Sequence, residues 1–348
     1  MAVGITALGS YAPERTLTNQ HFEQLLDTTD EWIVARTGIE KRHIAAEDEF
    51  TSQVAIRAVE NLIARSGQDA LDGVDMVIVA TSTPDALFPA TASLVQAHFK
   101  LTAGTFDMLT ACTGWVYALS VAHAYVQAGL CKKVLTIGAE TLSRVIDWQD
   151  RSTAVLFGDG ASAGIVEEVR EGYGFRSWVL GADGEGAGNL HLGLTADKLP
   201  DGTSLSDKIQ MNGREVFKFA VRVMNTATLQ AVSQAGLEPG DISLFVPHQA
   251  NARIIEAARE RLGLPQERVV VTVNEYGNNS TASVGLALQH ALDAGRIQDG
   301  DHLLLVAFGG GLTWGATVLT WGGVLPKSED GENAALAPDV VRADRGTL

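Results

Sequence analysis

The chain has 348 residues, 46% of them hydrophobic and 20% charged, and because one hydrophobic core usually stops growing at about 250 to 300 residues, we expect two fused core units. The formal net charge of −16 argues against a nucleic-acid partner, since phosphate binding needs a dominant basic surface. The start of the chain has no basic segment, and no stretch approaches the roughly 20 apolar residues that span a bilayer, so we expect a cytoplasmic protein without a membrane partner.

Short β-branched runs alternate with amphipathic helical stretches in the first half of the chain. Strands are predicted at residues 74–80, 105–109 and 133–138, and helices at residues 90–99 and 114–128. This order indicates βαβ units and a mixed or parallel sheet covered by helices. The last of these helices is rich in Ala, Val and Leu and carries few charges, which predicts burial on most sides.

The second half repeats this alternation, which is consistent with a duplicated fold. The predicted helices and strands, in chain order, are a helix at about 212–235, a strand at 242–246, helices at 250–262 and 280–294, and strands at 302–308 and 312–321. Between the halves, residues 181–207 are rich in Gly, Asp and Leu and are predicted to be irregular. Residues 325–348 carry charge and Pro with little pattern, and are predicted to form a flexible tail.

A candidate nucleophile lies where a predicted strand meets the buried helix. Residues 110–115 read TACTGW, which places Cys112 at the helix start. Unpaired backbone N–H groups and the positive end of the helix dipole are predicted to lower the pKa of this thiol and favour the thiolate. A cysteine is more often a small buried hydrophobic residue, and Cys131 fits that description. Two cysteines in so long a chain indicate neither a disulfide framework nor a metal cluster.

Three further segments carry candidates for the same site. His248 follows a predicted strand, at the carboxyl end where α/β sheets gather ligand-binding groups, although a lone histidine there is more often a capping or core residue. Asn278 lies in a glycine-bent turn that reads YGNNS, in which Ser280 is a candidate helix N-cap. Residues 308–311, which read FGGG, allow close approach of the backbone or form a simple bulge.

Taken together, Cys112, the His248 segment, Asn278 and the triple glycine resemble the β-ketoacyl-acyl-carrier-protein synthases of type III, the thiolase-fold enzymes that begin bacterial fatty-acid chains. The resemblance implies an α/β, thiolase-like fold with two duplicated halves, each a mixed five-stranded sheet covered by helices, in a homodimer. The first half, residues 1–170, would carry the nucleophile. The second half, residues 171–324, would carry the histidine and the asparagine.

The resemblance also implies a mechanism. Cys112 would take the acyl group from an acyl-CoA, and malonyl on acyl carrier protein would then lose CO2 and attack that group. His248 and Asn278 would donate hydrogen bonds to the malonyl thioester. The backbone N–H groups of Cys112 and Gly310 would hold the oxyanion, and Phe308 would exclude water. The resemblance implies no cofactor and no metal, and acyl-CoA counts as a substrate.

Residues 27–39, which read DTTDEWIVARTGI, look like the CoA entry segment of this family. The CoA-binding residues that the resemblance implies are Thr28, Trp32, Arg36, Arg151, Gly213 and Asn251. Trp32 and Arg151 would stack on either side of the adenine, since an indole and a guanidinium both stack on a base. Without the motif, Trp32 would be interpreted first as an anchor of its helix to the core. Leu87 and Phe88 would shape the acyl pocket at the dimer contact.

Basic side chains repeat every four residues along the predicted helix at 212–235, and two more follow His248. The predicted carrier-protein contacts are Gln249, Arg253, Lys218, Arg214, Arg222 and Arg259. Such a run is often only a solvated face, but in an acidic protein it suits an acidic carrier protein. Arg214 departs from the family pattern, in which a polar amide is frequent at this position.

Alternatives to this interpretation remain open. Type III polyketide synthases share the Cys, His and Asn set but usually have a Gly-Phe-Gly-Pro-Gly loop, which this chain lacks. Elongating ketoacyl synthases use a histidine where Asn278 stands, and degradative thiolases use a second cysteine near the triple glycine. A thiolase-fold acyltransferase that does not condense, or an enzyme of a secondary pathway, remains an alternative. A catalytically silent relative is disfavoured, because we would expect it to lose part of the set.

Overall fold

The computed structural model describes residues 1–325 as alternating helices and strands. The strands are β1 (Ala2–Tyr11), β2 (Thr16–Thr18), β3 (Lys41–His43), β4 (Met76–Ala80), β5 (Gly104–Met108), β6 (Lys133–Glu140), β7 (Gly160–Val169), β8 (Gly174–Ala182), β9 (Leu190–His191), β10 (Gln210–Met211), β11 (Leu244–Pro247), β12 (His302–Gly309) and β13 (Thr313–Thr320). The α-helices are α1 (Asn19–Glu23), α2 (Asp30–Thr37), α3 (Thr51–Ser66), α4 (Thr91–His98), α5 (Gly114–Gln127), α6 (Arg151–Ala154), α7 (Gly213–Gln234), α8 (Ala252–Leu262), α9 (Val273–Tyr276) and α10 (Ser283–Asp293). The predicted tail at 325–348 lies outside the described residues except for Leu325.

The first sheet has five strands in the order β1-β7-β6-β4-β5, with β4 parallel to both of its neighbours and the remaining pairs antiparallel. The strand β4 is apolar on both faces. Val77 and Val79 pack into one cluster with α3, whereas Ile78 packs into another with α5. Helices cover both faces, so a continuous apolar run rather than an alternating one forms this strand. The predicted mixed sheet is confirmed.

The second sheet has the order β11-β12-β13-β8, and β11 is parallel to β12. The thiolase-like architecture is confirmed, but this sheet has four strands within residues 1–325 rather than the expected five. Beyond β11 only an isolated parallel bridge joins Phe245 to Val269. Just past that bridge, the side chain of Gln249 accepts hydrogen bonds from the N–H groups of Thr272 and Val273, so a side chain takes these donors in place of a strand.

Two buried helices, α5 and α10, lie between the two sheets. Trp115 and Leu119 of α5 and Leu288 of α10 belong to one cluster that also contains Ile78 of the first sheet and Leu305 of the second. The helices α7 and α8 cover the outer face of the second sheet, and α3 covers the outer face of the first. The result is five layers, helix–sheet–helix–sheet–helix. The predicted burial of α5 follows from its position in the central layer.

The excursion between the halves is irregular, as predicted. It contains a 3-10 turn (Gly184–Asn189) and the two-residue strand β9, which pairs with β10 just beyond the predicted end at residue 207. The predicted boundary between residues 170 and 171 falls in the turn between β7 and β8. None of the helices within residues 1–325 combines the length and the apolar character needed to span a bilayer.

Candidate active site

Cys112 lies in the sharp turn that joins β5 to α5. The turn is a 3-10 element (Ala111–Thr113), and Ala111 adopts a positive φ of 45°, which reverses the chain between strand and helix. On the opposite side, a side-chain carbon added at Gly309 would lie 2.7 Å from the backbone nitrogen of Cys112. Only a glycine allows this contact, so the first of the three glycines brings β12 against the cysteine turn.

The surroundings of the Cys112 thiol disfavour its ionisation. Burial raises the pKa of Cys112 to about 12; a hydrogen bond from Ser280 acts in the opposite direction, and the negative charge of Glu140 adds to the rise. A backbone N–H hydrogen bond also lowers the pKa of Cys112, as predicted, but the net shift is upward, so the predicted net lowering is not found in this structure. The helix α5 begins two residues further on, at Gly114, and the loss of solvation outweighs any stabilisation at the helix start.

His248 is held at the carboxyl end of β11 with its ring fully enclosed. The residue is 1% exposed, and neither ring nitrogen has a hydrogen-bond partner within residues 1–325. The ring packs edge-on against Phe308, with centroids 5.2 Å apart. Burial lowers the pKa of His248 to about 3, which keeps the imidazole neutral at neutral pH. A neutral imidazole has one N–H to donate and one nitrogen that accepts.

Asn278 is fixed by its own backbone and by one side-chain bond. Its N–H donates to the carbonyl of Leu156, and its carbonyl accepts from Gly158. Its side-chain Oδ1 accepts from the N–H of Ser280 at 2.9 Å, which leaves the side-chain NH2 group to donate elsewhere. Ser280 is not an N-cap, because α10 begins only at Ser283; the hydroxyl of Ser280 bonds to other side chains.

One cavity of about 80 Å³ brings these groups together. Cys112, His248, Asn278 and Phe308 all line it. Further lining residues, which the sequence patterns did not reveal, are Leu156, Phe157, Leu190, Met211, Val216, Phe217 and Ile254. Leu190 and Met211 come from the two-residue strands β9 and β10, which carry no periodic signal. Nucleophile, imidazole and amide therefore share an enclosed and mostly apolar chamber.

Two backbone donors near the nucleophile have no backbone acceptor. Within residues 1–325 the N–H groups of Cys112 and Gly310 donate to no carbonyl of the main chain. The backbone at Gly310 lies close to Leu190 and Ala111. Unpaired N–H groups beside a nucleophile have the chemistry needed to stabilise a developing oxyanion, so both remain available for the role predicted for them.

The residues predicted to sandwich adenine contact each other directly. The guanidinium of Arg151 lies 4.8 Å from the ring centroid of Trp32, and that of Arg36 lies 5.7 Å from it. A base between Trp32 and Arg151 needs a separation of about 7 Å, because each stacked layer takes roughly 3.5 Å. The predicted sandwich therefore requires Arg151 to move outward. Trp32 also packs partly against the core, so its anchoring role holds as well.

Of the other predicted CoA residues, Gly213 and Asn251 line the cavity, and Asn251 contacts the segment that carries Arg36. Asn251 accepts from the N–H of Arg253 as the N-cap of α8, and its side-chain NH2 donates to the carbonyl of Arg36 at 3.0 Å. Gly213, the first residue of α7, lines the cavity together with Asn251. The buried hydroxyl of Thr28 has no partner within residues 1–325. The bond between Asn251 and Arg36 joins the start of α8 to α2.

The prediction that Gln249 contacts a carrier protein is wrong. Gln249 is 1% exposed, and its side chain is fully bonded inside the protein. Its NH2 group donates to the carbonyls of Pro247 and Val270, and its Oε1 accepts from the N–H groups of Thr272 and Val273. A buried amide with every donor and acceptor engaged braces the fold and has none left for a partner.

The predicted basic contacts differ in how much of their charge is already neutralised. Lys218, Arg222 and Arg259 form ion pairs with neighbouring carboxylates, at 2.7, 3.9 and 2.5 Å respectively. Within residues 1–325, Arg214 and Arg253 have no ion pair. Arg253 instead lies over the ring of a residue that lines the cavity, Phe217, at 5.2 Å. Each of these two arginines closely follows a residue that lines the cavity: Arg214 comes directly after Gly213, and Arg253 comes two positions after Asn251.

The chain does not bring Leu87 and Phe88 to its own cavity. Their exposed fractions are 62% and 85%, and neither lines the chamber around Cys112. Their predicted part in an acyl pocket depends on a second copy of the chain, and stays a prediction.

Comparison with known proteins identifies the family. Residues 106–184 match the model of 3-oxoacyl-[acyl-carrier-protein] synthase III, and residues 232–321 match the model of its C-terminal part. A curated beta-ketoacyl-[acyl-carrier-protein] synthase III from Deinococcus radiodurans is 52% identical over 92% of this chain and 95% of its own length.

Solved structures agree with these matches. A beta-ketoacyl-[acyl-carrier-protein] synthase III from Thermus thermophilus is 67% identical, covers 92% of this chain and all of its own, and superposes with a TM-score of 0.91. A priming beta-ketosynthase from the R1128 polyketide pathway is 35% identical, covers 92% of this chain and 97% of its own, and has a TM-score of 0.85. The chain therefore belongs to the 3-oxoacyl-[acyl-carrier-protein] synthase III family.

Proposed function

We propose that this chain is an initiating ketoacyl synthase, which condenses an acyl-CoA with malonyl-acyl carrier protein to give a 3-ketoacyl-acyl carrier protein in fatty-acid synthesis. The observation that carries the proposal is the convergence of Cys112, His248 and Asn278 on one enclosed cavity, where the imidazole and the amide NH2 have no hydrogen-bond partner among residues 1–325. The family names of the relatives support the same reaction. The chemistry needs no metal, flavin or nicotinamide.

The first half-reaction is acyl transfer to Cys112. The sulfur attacks the thioester carbon, a new S–C bond forms, the bond to the CoA sulfur breaks, and the thiol proton leaves on CoA. The N–H groups of Cys112 and Gly310 are the donors we assign to the oxyanion of the tetrahedral intermediate; one such donor is typically worth roughly 3 to 4 kcal/mol. The apolar walls of the cavity exclude water that would otherwise hydrolyse the acyl-enzyme.

The second half-reaction is decarboxylative condensation. Malonyl thioester loses CO2, and the electron pair of the broken bond forms an enolate, whose oxygen accepts hydrogen bonds from His248 and Asn278. That enolate carbon then attacks the acyl-cysteine and releases the Cys112 thiolate. The lowered pKa of His248 suits this role, because a neutral imidazole keeps its N–H and needs no prior protonation across the neutral range.

We also propose a homodimer formed at the edge of the first sheet. The strand β5 is the outermost strand of that sheet and has one neighbour within residues 1–325, β4. Large apolar side chains are exposed beside it, including Leu109 at 71%, together with Leu87 and Phe88. An open strand edge with exposed apolar side chains is unfavourable in water unless it is covered. A second copy that pairs there would bring Phe88 towards its partner's cavity.

The carrier protein is proposed to dock at the cavity mouth, on Arg214 and Arg253. These two positive side chains are free of ion pairs within the described residues, and they are the second residues of the helices α7 and α8. Carrier proteins of this class are acidic, so unpaired arginines attract them and orient the attached thioester towards Cys112. The paired Lys218, Arg222 and Arg259 contribute less, because their charge is already partly neutralised.

Intact mass spectrometry tests the proposed function. The protein is incubated with a panel of acyl-CoAs, and malonyl-acyl carrier protein is then added. We expect an acyl mass on Cys112 that disappears as a 3-ketoacyl carrier product forms with release of CO2, and the best-loaded acyl group identifies the starter. Transfer of an unchanged acyl group would instead indicate an acyltransferase, and absence of any acyl mass would contradict the CoA-dependent reaction.

A further inference from the structure

A fully buried carboxyl group lies behind the turn that follows Asn278, and the mechanism above does not use it. Glu140, the last residue of β6, is 0% exposed and forms no ion pair within residues 1–325. One of its oxygens accepts a hydrogen bond from the hydroxyl of Ser280 at 3.1 Å, and the other accepts from the hydroxyl of Thr83 at 2.8 Å. The carboxyl group therefore ties the loop after β4 to the 3-10 turn Ser280–Ala282.

Ser280 adopts a backbone conformation that residues with a side chain rarely take. Its φ is +47°, in the left-handed region, and the residue is buried. This conformation is unfavourable for a residue other than glycine, so it persists where neighbouring groups hold it. The hydrogen bond from the hydroxyl of Ser280 to Glu140 is a contact of this kind.

The conformation of Ser280 sets the orientation of the Asn278 side chain. The backbone N–H of Ser280 donates to Oδ1 of Asn278 at 2.9 Å. A donor meets the oxygen of an amide and not its NH2 group, so this bond fixes which end of the amide faces the turn. The NH2 group, which has no partner among residues 1–325, is left for the cavity that Asn278 lines together with Cys112.

The strand that carries Glu140 lies very close to the same turn. A side-chain carbon added at Gly138, two residues before Glu140, would lie 2.6 Å from the carbonyl oxygen of Thr281. Only glycine permits this approach of one backbone to another. The position of Glu140 relative to Ser280 is therefore set by the packing of two backbone segments.

We propose that Glu140 is a positioning residue for the decarboxylation step. By accepting from the hydroxyl of Ser280, it keeps the N–H of Ser280 on Oδ1 of Asn278 and so keeps the NH2 group of Asn278 facing the substrate. The carboxyl group takes part in no bond-making or bond-breaking step. The inference rests on the proposed function in taking Asn278 as a donor to the enolate. Acyl loading of Cys112 uses backbone donors and does not depend on Glu140.

Release of CO2 from malonyl-acyl carrier protein tests this in Glu140→Met, which removes both accepting oxygens and keeps the side chain close to its original size. We expect decarboxylation to fall about tenfold or more, because a misplaced donor loses much of its effect on the transition state. Acyl loading of Cys112 should change by less than about twofold. An unchanged rate of CO2 release in a folded Glu140→Met protein would overturn the proposal.

A double-mutant cycle with Asn278→Ala separates positioning from a general loosening of the fold. If Glu140 acts through the amide of Asn278, Glu140→Met has little further effect on CO2 release once that amide is gone. An equal loss in the Asn278→Ala background and in the wild type would contradict the proposal.

Thr136→Val is the matched control for the loss of a buried hydrogen bond. Thr136 also lies on β6, is 0% exposed, and donates from its hydroxyl to the carbonyl of Gly164 at 3.0 Å. This variant loses a buried bond of the same strand but no link to Asn278. We expect its folded protein to release CO2 at the wild-type rate, and a loss as large as that in Glu140→Met would argue for a merely structural role.

Ser280→Ala and Ser280→Gly supply a second measurement that does not require Glu140→Met to fold. Both variants lose the hydroxyl, but glycine adopts a positive φ without strain and so can keep its N–H on Asn278. We expect slower CO2 release in Ser280→Ala than in Ser280→Gly. A wild-type rate in Ser280→Ala would overturn the proposal.

A crystal structure of Glu140→Met, or of Ser280→Ala, distinguishes failure of this inference from failure of the proposed function, because it needs no substrate. We expect the distance from the backbone nitrogen of residue 280 to Oδ1 of Asn278 to exceed about 3.5 Å, beyond hydrogen-bond range. An unchanged bond would overturn the inference whatever reaction the protein catalyses. A wild-type protein that releases no CO2 from malonyl-acyl carrier protein would instead overturn the proposed function.

Discussion

His248 and Gln249 are neighbours in the sequence, and both are 1% exposed. They differ in whether their polar atoms are hydrogen-bonded inside the protein. The ring of His248 has no hydrogen-bond partner within residues 1–325, whereas Gln249 uses its donors and its acceptor inside the fold. An unsatisfied buried polar group costs free energy, so it persists in a protein when a ligand satisfies it. Burial does not distinguish these two residues, whereas the state of their hydrogen bonds does.

The largest expected effect is at the nucleophile, where the cavity-facing group forms a covalent bond. Cys112→Ala should lower condensation by more than about a thousandfold, because no other side chain lining the cavity supplies a thiol. Product formation from acyl-CoA and malonyl-acyl carrier protein measures this. Cys131→Ala is the matched control and should keep wild-type activity; full condensation in Cys112→Ala would contradict the assigned role.

The next effect is at His248, the unpartnered member of the pair. His248→Ala removes one of two donors to the enolate, so we expect decarboxylation and condensation to fall by about a hundredfold or more. Acyl loading of Cys112 should fall much less, because its oxyanion donors belong to the backbone. Separate assays of loading and of CO2 release measure the two steps, and a variant that loses loading while retaining decarboxylation would reverse the assignment.

Gln249→Ala should lower the stability of the fold and leave the catalytic steps largely intact, which is the opposite of the effect expected for His248→Ala. The change leaves the N–H groups of Thr272 and Val273 without their acceptor, which we expect to lower the free energy of unfolding by about 2 to 4 kcal/mol. Denaturant unfolding measures this. The folded fraction should retain most of its acyl loading; a stable Gln249→Ala protein with lost activity would show that the bracing interpretation is wrong.

The smallest expected effect is at the surface, where charged side chains also differ in whether they have a partner inside the protein. Within residues 1–325, Arg253 has no ion pair, whereas Arg259 is paired with Glu256, although both lie on α8. Arg253→Glu should raise the KM for malonyl-acyl carrier protein severalfold, with a strong dependence on salt. Arg259→Glu should change it less. Equal effects from the two variants would place the docking surface elsewhere.

Local sequence information was sufficient for the elements predicted at residues 74–138 and 212–321 and for the reactive trio, whereas β1, α3, β7 and β8 were not predicted. The strand–turn–helix at Cys112, the strand end at His248 and the glycine-bent turn at Asn278 depend on residues close together in the chain. These patterns also carried the resemblance to the family, and the structure brings the three side chains to one cavity. Short-range periodicity and turn chemistry determined this much because each can be satisfied within a few residues.

Only the tertiary structure decided how each group is solvated. Glu140 contacts Ser280 across 140 residues of sequence, and no pattern near either residue indicates that contact. The pKa of Cys112, the engagement of Gln249 and the walls supplied by Leu190 and Met211 likewise depend on distant segments. Hydrogen-bond satisfaction and desolvation are properties of packed neighbours, so they arise only when the layers of the fold close around the site.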